Sequence, residues 1–139
     1  MQISSKRLKK IDISIENNSY SPTIKSLVIN CPQLTELNAK NHTLLSGSID
    51  LTEMDKIQKC DLSNTNITSF KVDSPKYLQE LHLPASIKTL KAVNINSGTV
   101  VDVESLSNVT SMYVDHSFIN SYDYLGVNSL ILSKLGTKD

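Results

Sequence analysis

"LQELHLPASIKTLKA", residues 78–92, holds two short apolar patterns back to back. Leu78, Leu81 and Leu83 form the first, and Ile87, Leu90 and Ala92 the second, each spaced apolar, two residues, apolar, one residue, apolar. The closing alternation has the period of a strand, in which successive side chains point to opposite faces. The second pattern recurs as "IKSLVI" at 24–29, "ITSFKV" at 67–72, "VTSMYV" at 109–114 and "VNSLIL" at 127–132, and "SGSIDL" at 46–51 fits its second half. Aligned on the residue before the central apolar one, these six read Ser26, Ser48, Ser69, Thr89, Ser111 and Ser129. Serine and threonine make up 30 of 139 residues, so six hydroxyls in six places has a chance of about one in ten thousand. The spacings of 22, 21, 20, 22 and 18 define a repeat.

The first pattern recurs between members of the second, as "LTELNA" at 34–39 and "IQKCDL" at 57–62. "TVVDV" at 99–103 continues it, and "LKKIDI" at 8–13 is a candidate beginning. The closing apolar positions of both sets run from 29 to 114 in eight steps, about 10.6 residues each. A strand therefore falls every half-coil, and a full coil takes about 21–22 residues. Only "DLTEMDKIQ", 50–58, looks helical, with Asp50 and Glu53 spaced as a capping box, and predicts at most one turn of helix or 3₁₀ helix.

On these residues the chain resembles a leucine-rich repeat. "IQKCDLSNTNI", 57–67, fits L-x-x-L-x-L-x-x-N-x-L with Cys60 at a leucine position and Thr65 at the asparagine position, and "LTELNAKNHTL", 34–44, fits with Ala39 and His42 as substitutes. "LQELHLPASIKTL", 78–90, resembles the BspA-like subclass, with Ser86 at the asparagine position and "INCPQL" and "VDSPKYL" like its outer segments. The likeness covers 24–132. In its Asn-, Ser- and Lys-rich character the array also resembles structural proteins of tailed bacteriophages of gut Bacteroides. The resemblance implies a single, mostly β domain over 1–139, a short right-handed solenoid of five to six coils of 20–23 residues, with strands on two faces and little helix. It implies a non-enzymatic interaction or structural module, such as a virion assembly component. The corresponding settings are a virion or the cytoplasm of its host. A surface-recognition module binding a host protein or glycan is the competing function. Without asparagine at its usual place, the Ser/Thr column is expected to satisfy groups between coils.

Composition narrows the partner. The 14 basic and 14 acidic residues cancel, and all the basic ones but Arg7 are lysine. A phosphate-binding surface usually carries a basic excess and arginine forks, so nucleic acid is not the expected partner. No apolar run reaches the length of a membrane span, and the basic start "MQISSKRLKKIDISIENN" has no apolar stretch behind it as a signal peptide would. Cys31 and Cys60 have no metal-type spacing and are expected as small buried residues. His42 is expected in a structural bond, His82 outward between Leu81 and Leu83, and His116 in a turn, with no pair at metal-ligand spacing. No cofactor or catalytic motif is found. Four Asn-x-Ser/Thr sequons, at Asn17, Asn41, Asn66 and Asn108, are what this composition predicts and carry no weight.

The outward positions remain. Between the last two apolar positions the second set carries Val28, Asp50, Lys71, Lys91, Tyr113 and Ile131, and the first set Asn38, Asp61, His82 and Asp102. The column before that reads Glu36, Lys59, Glu80 and Val100, with charge signs that alternate from coil to coil. Apolar Val28, Tyr113 and Ile131 near the ends predict a protein partner or self-association through the terminal coils. The candidate interaction face is the hydroxyl column Ser26, Ser48, Ser69, Thr89, Ser111 and Ser129 with Lys71, Lys91, Tyr113 and Ile131. Aromatic residues gather at 113–124 rather than across a face, which favours assembly over glycan binding.

Overall fold

A computed structural model describes residues 1–16, 21–96, 98–105, 107–115 and 129–133, the last five and Asp115 as backbone. The described elements are twelve strands: β1 (Gln2–Ser4), β2 (Lys10–Asp12), β3 (Val28–Asn30), β4 (Glu36–Asn38), β5 (Ser46–Asp50), β6 (Lys59–Asp61), β7 (Asn66–Asp73), β8 (Glu80–Leu83), β9 (Thr89–Val93), β10 (Val100–Val103), β11 (Ser111–Asp115) and β12 (Ser129–Ser133). Two five-stranded parallel sheets form, in the order β5-β7-β9-β11-β12 (sheet I) and β2-β4-β6-β8-β10 (sheet II). A two-stranded sheet joins β1 to β3. From β4 to β11 the chain alternates between the two large sheets, so it winds as a β-solenoid. Five rungs per sheet are four steps, about four turns, with β1 and β3 as further rungs. The start of the chain belongs to the stack, because β2 pairs with β4 and β1 with β3.

The interior is built by the two apolar patterns. On sheet II Ile11, Leu37, Cys60 and Leu81 lie in register, and on sheet I Ile49, Phe70, Leu90 and Met112 do. All eight are buried. Leu34, Ile57 and Leu78 fill the corner before sheet II, and Leu45, Ile67, Ile87 and Val109 the corner before sheet I. Each coil is too thin to bury these groups alone, so the core exists only between stacked coils.

Four of the corners turn through left-handed backbone. After sheet II it falls on Asn41 (φ 71°) and Asn64 (φ 55°), and after sheet I on Ser74 (φ 54°) and Asn94 (φ 58°). Asparagine tolerates this region better than most residues, because its short amide bonds locally. The Asn64 amide donates to Asn41 Oδ1 at 3.1 Å, and the Asn41 amide to the Ile15 carbonyl at 2.6 Å. A short asparagine ladder thus exists on these residues, not at the expected positions of His42, Thr65 and Ser86. Thr65 is buried and donates to the Leu62 carbonyl at 2.8 Å, and Ser86 Oγ lies 2.6 Å from the Ile67 carbonyl and 3.2 Å from that of Thr65. His42 is buried with its Nδ1 unpartnered, so the structural bond expected of it is not made through that atom.

At 50–58 no α-helical turn forms, and the 3₁₀ alternative is met in part. Two successive i→i+3 turns stand there, Met54 N–H to the Leu51 carbonyl at 2.9 Å and Ile57 N–H to that of Met54 at 3.1 Å. Asp50 caps Thr52 instead, accepting from its N–H at 3.0 Å and its hydroxyl at 2.6 Å. Leu51, Met54 and Ile57 are all buried, and their i, i+3, i+6 spacing puts them on one side of these 3₁₀-type turns. Among the described residues no helix occurs, so none is long and apolar enough to cross a membrane.

Candidate interaction faces

The expected hydroxyl column forms on the outer side of sheet I. Ser48 pairs with Ser69, Ser69 with Thr89, Thr89 with Ser111 and Ser111 with Ser129 in one parallel register. The sixth member departs: Ser26 lies before β3, whose ladder runs to β1, and its carbonyl accepts from the Met1 ammonium at 2.9 Å. β7 also carries one residue more than β5 here, with the register shifting between Gly47 and Ser48. Gly47 (φ 86°) takes a conformation that a side chain would strain.

The hydroxyls of Ser48, Ser69, Thr89 and Ser111 make no hydrogen bond among the described residues. Bonding between coils falls to other positions. Thr35 donates to the Lys9 carbonyl at 2.9 Å, Thr99 to that of Leu78 at 2.7 Å, and the Asn108 amide to that of Ala85 at 2.9 Å. These groups hold coil to coil at the corners, and the column on sheet I is left as a level row of small polar groups.

Beside that row runs the second outward column, with Asp50 paired to Lys71, Lys71 to Lys91, Lys91 to Tyr113 and Tyr113 to Ile131. Lys91 Nζ sits 5.6 Å from the centroid of the Tyr113 ring and 3.9 Å from Asp73 Oδ2. Lys71 makes no ion pair within 4 Å among the described residues. Burial pushes the Asp50 pKa up, but the Thr52 hydroxyl and N–H outweigh it with help from Lys71 and Lys91, so the carboxyl titrates below its ordinary 3.8. A shallow groove runs between the columns, lined by Ser69, Lys71, Thr89, Lys91, Ser111 and Tyr113 over Phe70 and Leu90. Val28 and Tyr113 are exposed, at 57% and 40%. The side chains of Ser129 and Ile131 lie outside the described residues, as do His116 and the aromatic group Phe118, Tyr122 and Tyr124.

Sheet II presents Lys10, Glu36, Lys59, Glu80 and Val100 in one outward column and Asp12, Asn38, Asp61, His82 and Asp102 in the next, all in register. Lys10 Nζ lies 3.6 Å from Glu36 Oε2, and His82 Nδ1 3.4 Å from Asp102 Oδ2. Three aspartates end their strands in the same way, bonding the hydroxyl and N–H two residues on: Asp12 with Ser14, Asp50 with Thr52, and Asp61 with Ser63. That device could have been found as a repeated D-[IL]-[ST] triplet at the end of a strand.

Among the described residues no three His, Cys, Asp or Glu side chains gather as metal ligands. Cys31 and Cys60 are buried free thiols, as expected. Burial, with Asp61 adding to it, pushes the Cys60 thiol far up, so it presents no thiolate. The geometry on both faces is that of repeated polar rows, suited to contact with another surface. No protein-family model, curated protein or solved structure gives a significant match to this chain.

Proposed function

We propose that this chain is a non-enzymatic interaction module, an assembly component that binds another protein through the outer face of sheet I. One observation carries this: the hydroxyls of Ser48, Ser69, Thr89 and Ser111 stand in one register and make no hydrogen bond among the described residues. Adjacent rungs are about 4.8 Å apart, so the row is level and regular enough for a flat partner to lie against it. Lys71, the Lys91–Tyr113 pair and Asp50 flank the row and supply direction and charge. The leucine-rich-repeat likeness points to the same class of role, and the phage likeness makes a virion a fitting setting. Many weak contacts would give the specificity, with Tyr113 the natural anchor.

Binding of a host glycan is the competing function. The exposed aromatics described, Tyr77 and Tyr113, stand apart, one in the turn before β8 and one on β11, so they form no stacking platform. The test is the pair Ser69→Lys and Thr89→Lys in one chain. Circular dichroism and melting should stay close to the parent, while proteins captured by the parent through cross-linking are lost. Undiminished capture by the double variant overturns the assignment. So does glycan-array binding abolished by Tyr113→Ala with protein capture intact.

A further inference from the structure

The outward columns of sheet II have a symmetry that the fold itself does not require. From β2 to β8 the first column reads Lys10, Glu36, Lys59, Glu80, a strict plus-minus-plus-minus sequence on four successive rungs. An even alternating row is its own complement when reversed. Consider a second copy laid face to face, related by a two-fold axis parallel to the strands between β4 and β6. Lys10 then faces Glu80 of the other copy, and Glu36 faces Lys59, so all four contacts join opposite charges. The second column obeys the same operation. Asp12 falls opposite His82 and Asn38 opposite Asp61, so on these rungs no carboxylate meets a carboxylate.

The alternation is only partly used within one chain. Of the three neighbouring pairs along the row, Lys10–Glu36 closes at 3.6 Å. Among the described residues Lys59 and Glu80 make no ion pair within 4 Å, although their strands are paired. Lys59 is exposed, and Glu36, Asn38, Asp61, Glu80 and His82 are half-buried around one shallow groove. Other placements of the axis do worse. Through β6 it sets Lys59 against Lys59, and between β6 and β8 it leaves Glu36 opposite apolar Val100.

We infer that the outer face of sheet II is a self-complementary docking surface for a second copy of this chain, with Glu36 and Lys59 at its centre. The proposal is independent of the partner assigned to sheet I. The face is only four rungs long, about 14 Å across its steps, so it buries far less than the roughly 800 Å² per partner of a standard interface. The dimer is therefore weak, and short-range pairing of opposite charges across the axis contributes much of what holds it.

Sedimentation equilibrium of the full chain, from about 10 μM to about 1 mM, reads this out. The dimer should form in about 20 mM salt and dissociate in about 1 M salt, where the Debye length falls to about 3 Å. Lys59→Glu should weaken it at least about 10-fold, since each copy then presents like charge at the centre. The double variant Glu36→Lys with Lys59→Glu should recover the parent affinity to within about 3-fold, because the swap restores opposite charges across the axis. Lys59→Gln, which removes the charge without reversing it, should fall between. A chain that stays monomeric throughout overturns the proposal, as does a dimer indifferent to Lys59→Glu. A swap that fails to recover overturns it too: an axis along the solenoid would set residue 59 against Asp61, where the swapped Glu would stay repelled.

Discussion

Leu62 and His82 are joined by one hydrogen bond, the Leu62 N–H to the His82 carbonyl at 2.8 Å, yet their side chains have opposite fates. Leu62 is fully buried between coils, and His82 looks out from sheet II toward Asp102. Leu62→Ala should cost about 2–5 kcal/mol, because the stacked coils cannot close over the lost volume. His82→Ala should change stability by less than about 0.5 kcal/mol. Urea melts of the two variants check this, and equal losses would mean that the inward and outward positions are misassigned. At this scale the core was legible in sequence, since burial is locked to the apolar phase and Leu62, Leu83 and Leu90 all lie inside as the spacing requires. The hydroxyl roles were not legible. Whether a serine faces a carbonyl of the previous coil depends on corner geometry, so Ser86 bonds there and Ser69 does not. The asparagine ladder likewise follows left-handed backbone at Asn41 and Asn64, which the apolar pattern does not encode.

Most strands have only three to five residues, and three of them are pinned at their last residue by an aspartate side chain. Asp12 and Asp50 show how: the Ser14 hydroxyl and N–H hold the Asp12 carboxyl below its ordinary 3.8, and those of Thr52 outweigh burial at Asp50 to the same effect. Both groups bind their proton more weakly folded than unfolded. Their contribution is complete above about pH 4 and is lost as pH falls through the lowered folded values. Melting temperature should therefore drop as pH is taken from about 6 to about 3, and Ser14→Ala with Thr52→Val should lower it at pH 6 and flatten its acid dependence. An unchanged slope in the double variant would contradict the capping role. The elements themselves were legible wherever the repeat frame holds, including β2 and β10 at its weaker ends. β1 was not, since "QIS" carries a single apolar residue and acquires its pairing only from β3. The segment 50–58 was legible in part, since turns of the 3₁₀ type form there but no α-helical turn. Asp50 and Glu53 have capping-box spacing, but Asp50 accepts from Thr52 instead, and Leu51, Met54 and Ile57 are buried at i, i+3, i+6 spacing.

For the whole molecule the defining property is translation: what one coil presents, the next presents about 4.8 Å further on. That turns a recurring serine into a row, and a row into a surface. It also makes stability a sum of neighbour contacts, with the terminal coils the first to open. Both proposed surfaces depend on the register being real. Cysteine pairs test it without interference, because the native thiols of Cys31 and Cys60 are buried. Ser69→Cys with Thr89→Cys, and Thr89→Cys with Ser111→Cys, place thiols on adjacent rungs of sheet I. Lys59→Cys with Thr89→Cys places them on the outer sides of opposite sheets. A bifunctional thiol-reactive electrophile spanning about 5–8 Å should join the first two pairs as thioethers within a single folded chain and leave the third unlinked. Equal cross-linking of all three, or none on sheet I, would contradict the stacked register and with it both faces built on it.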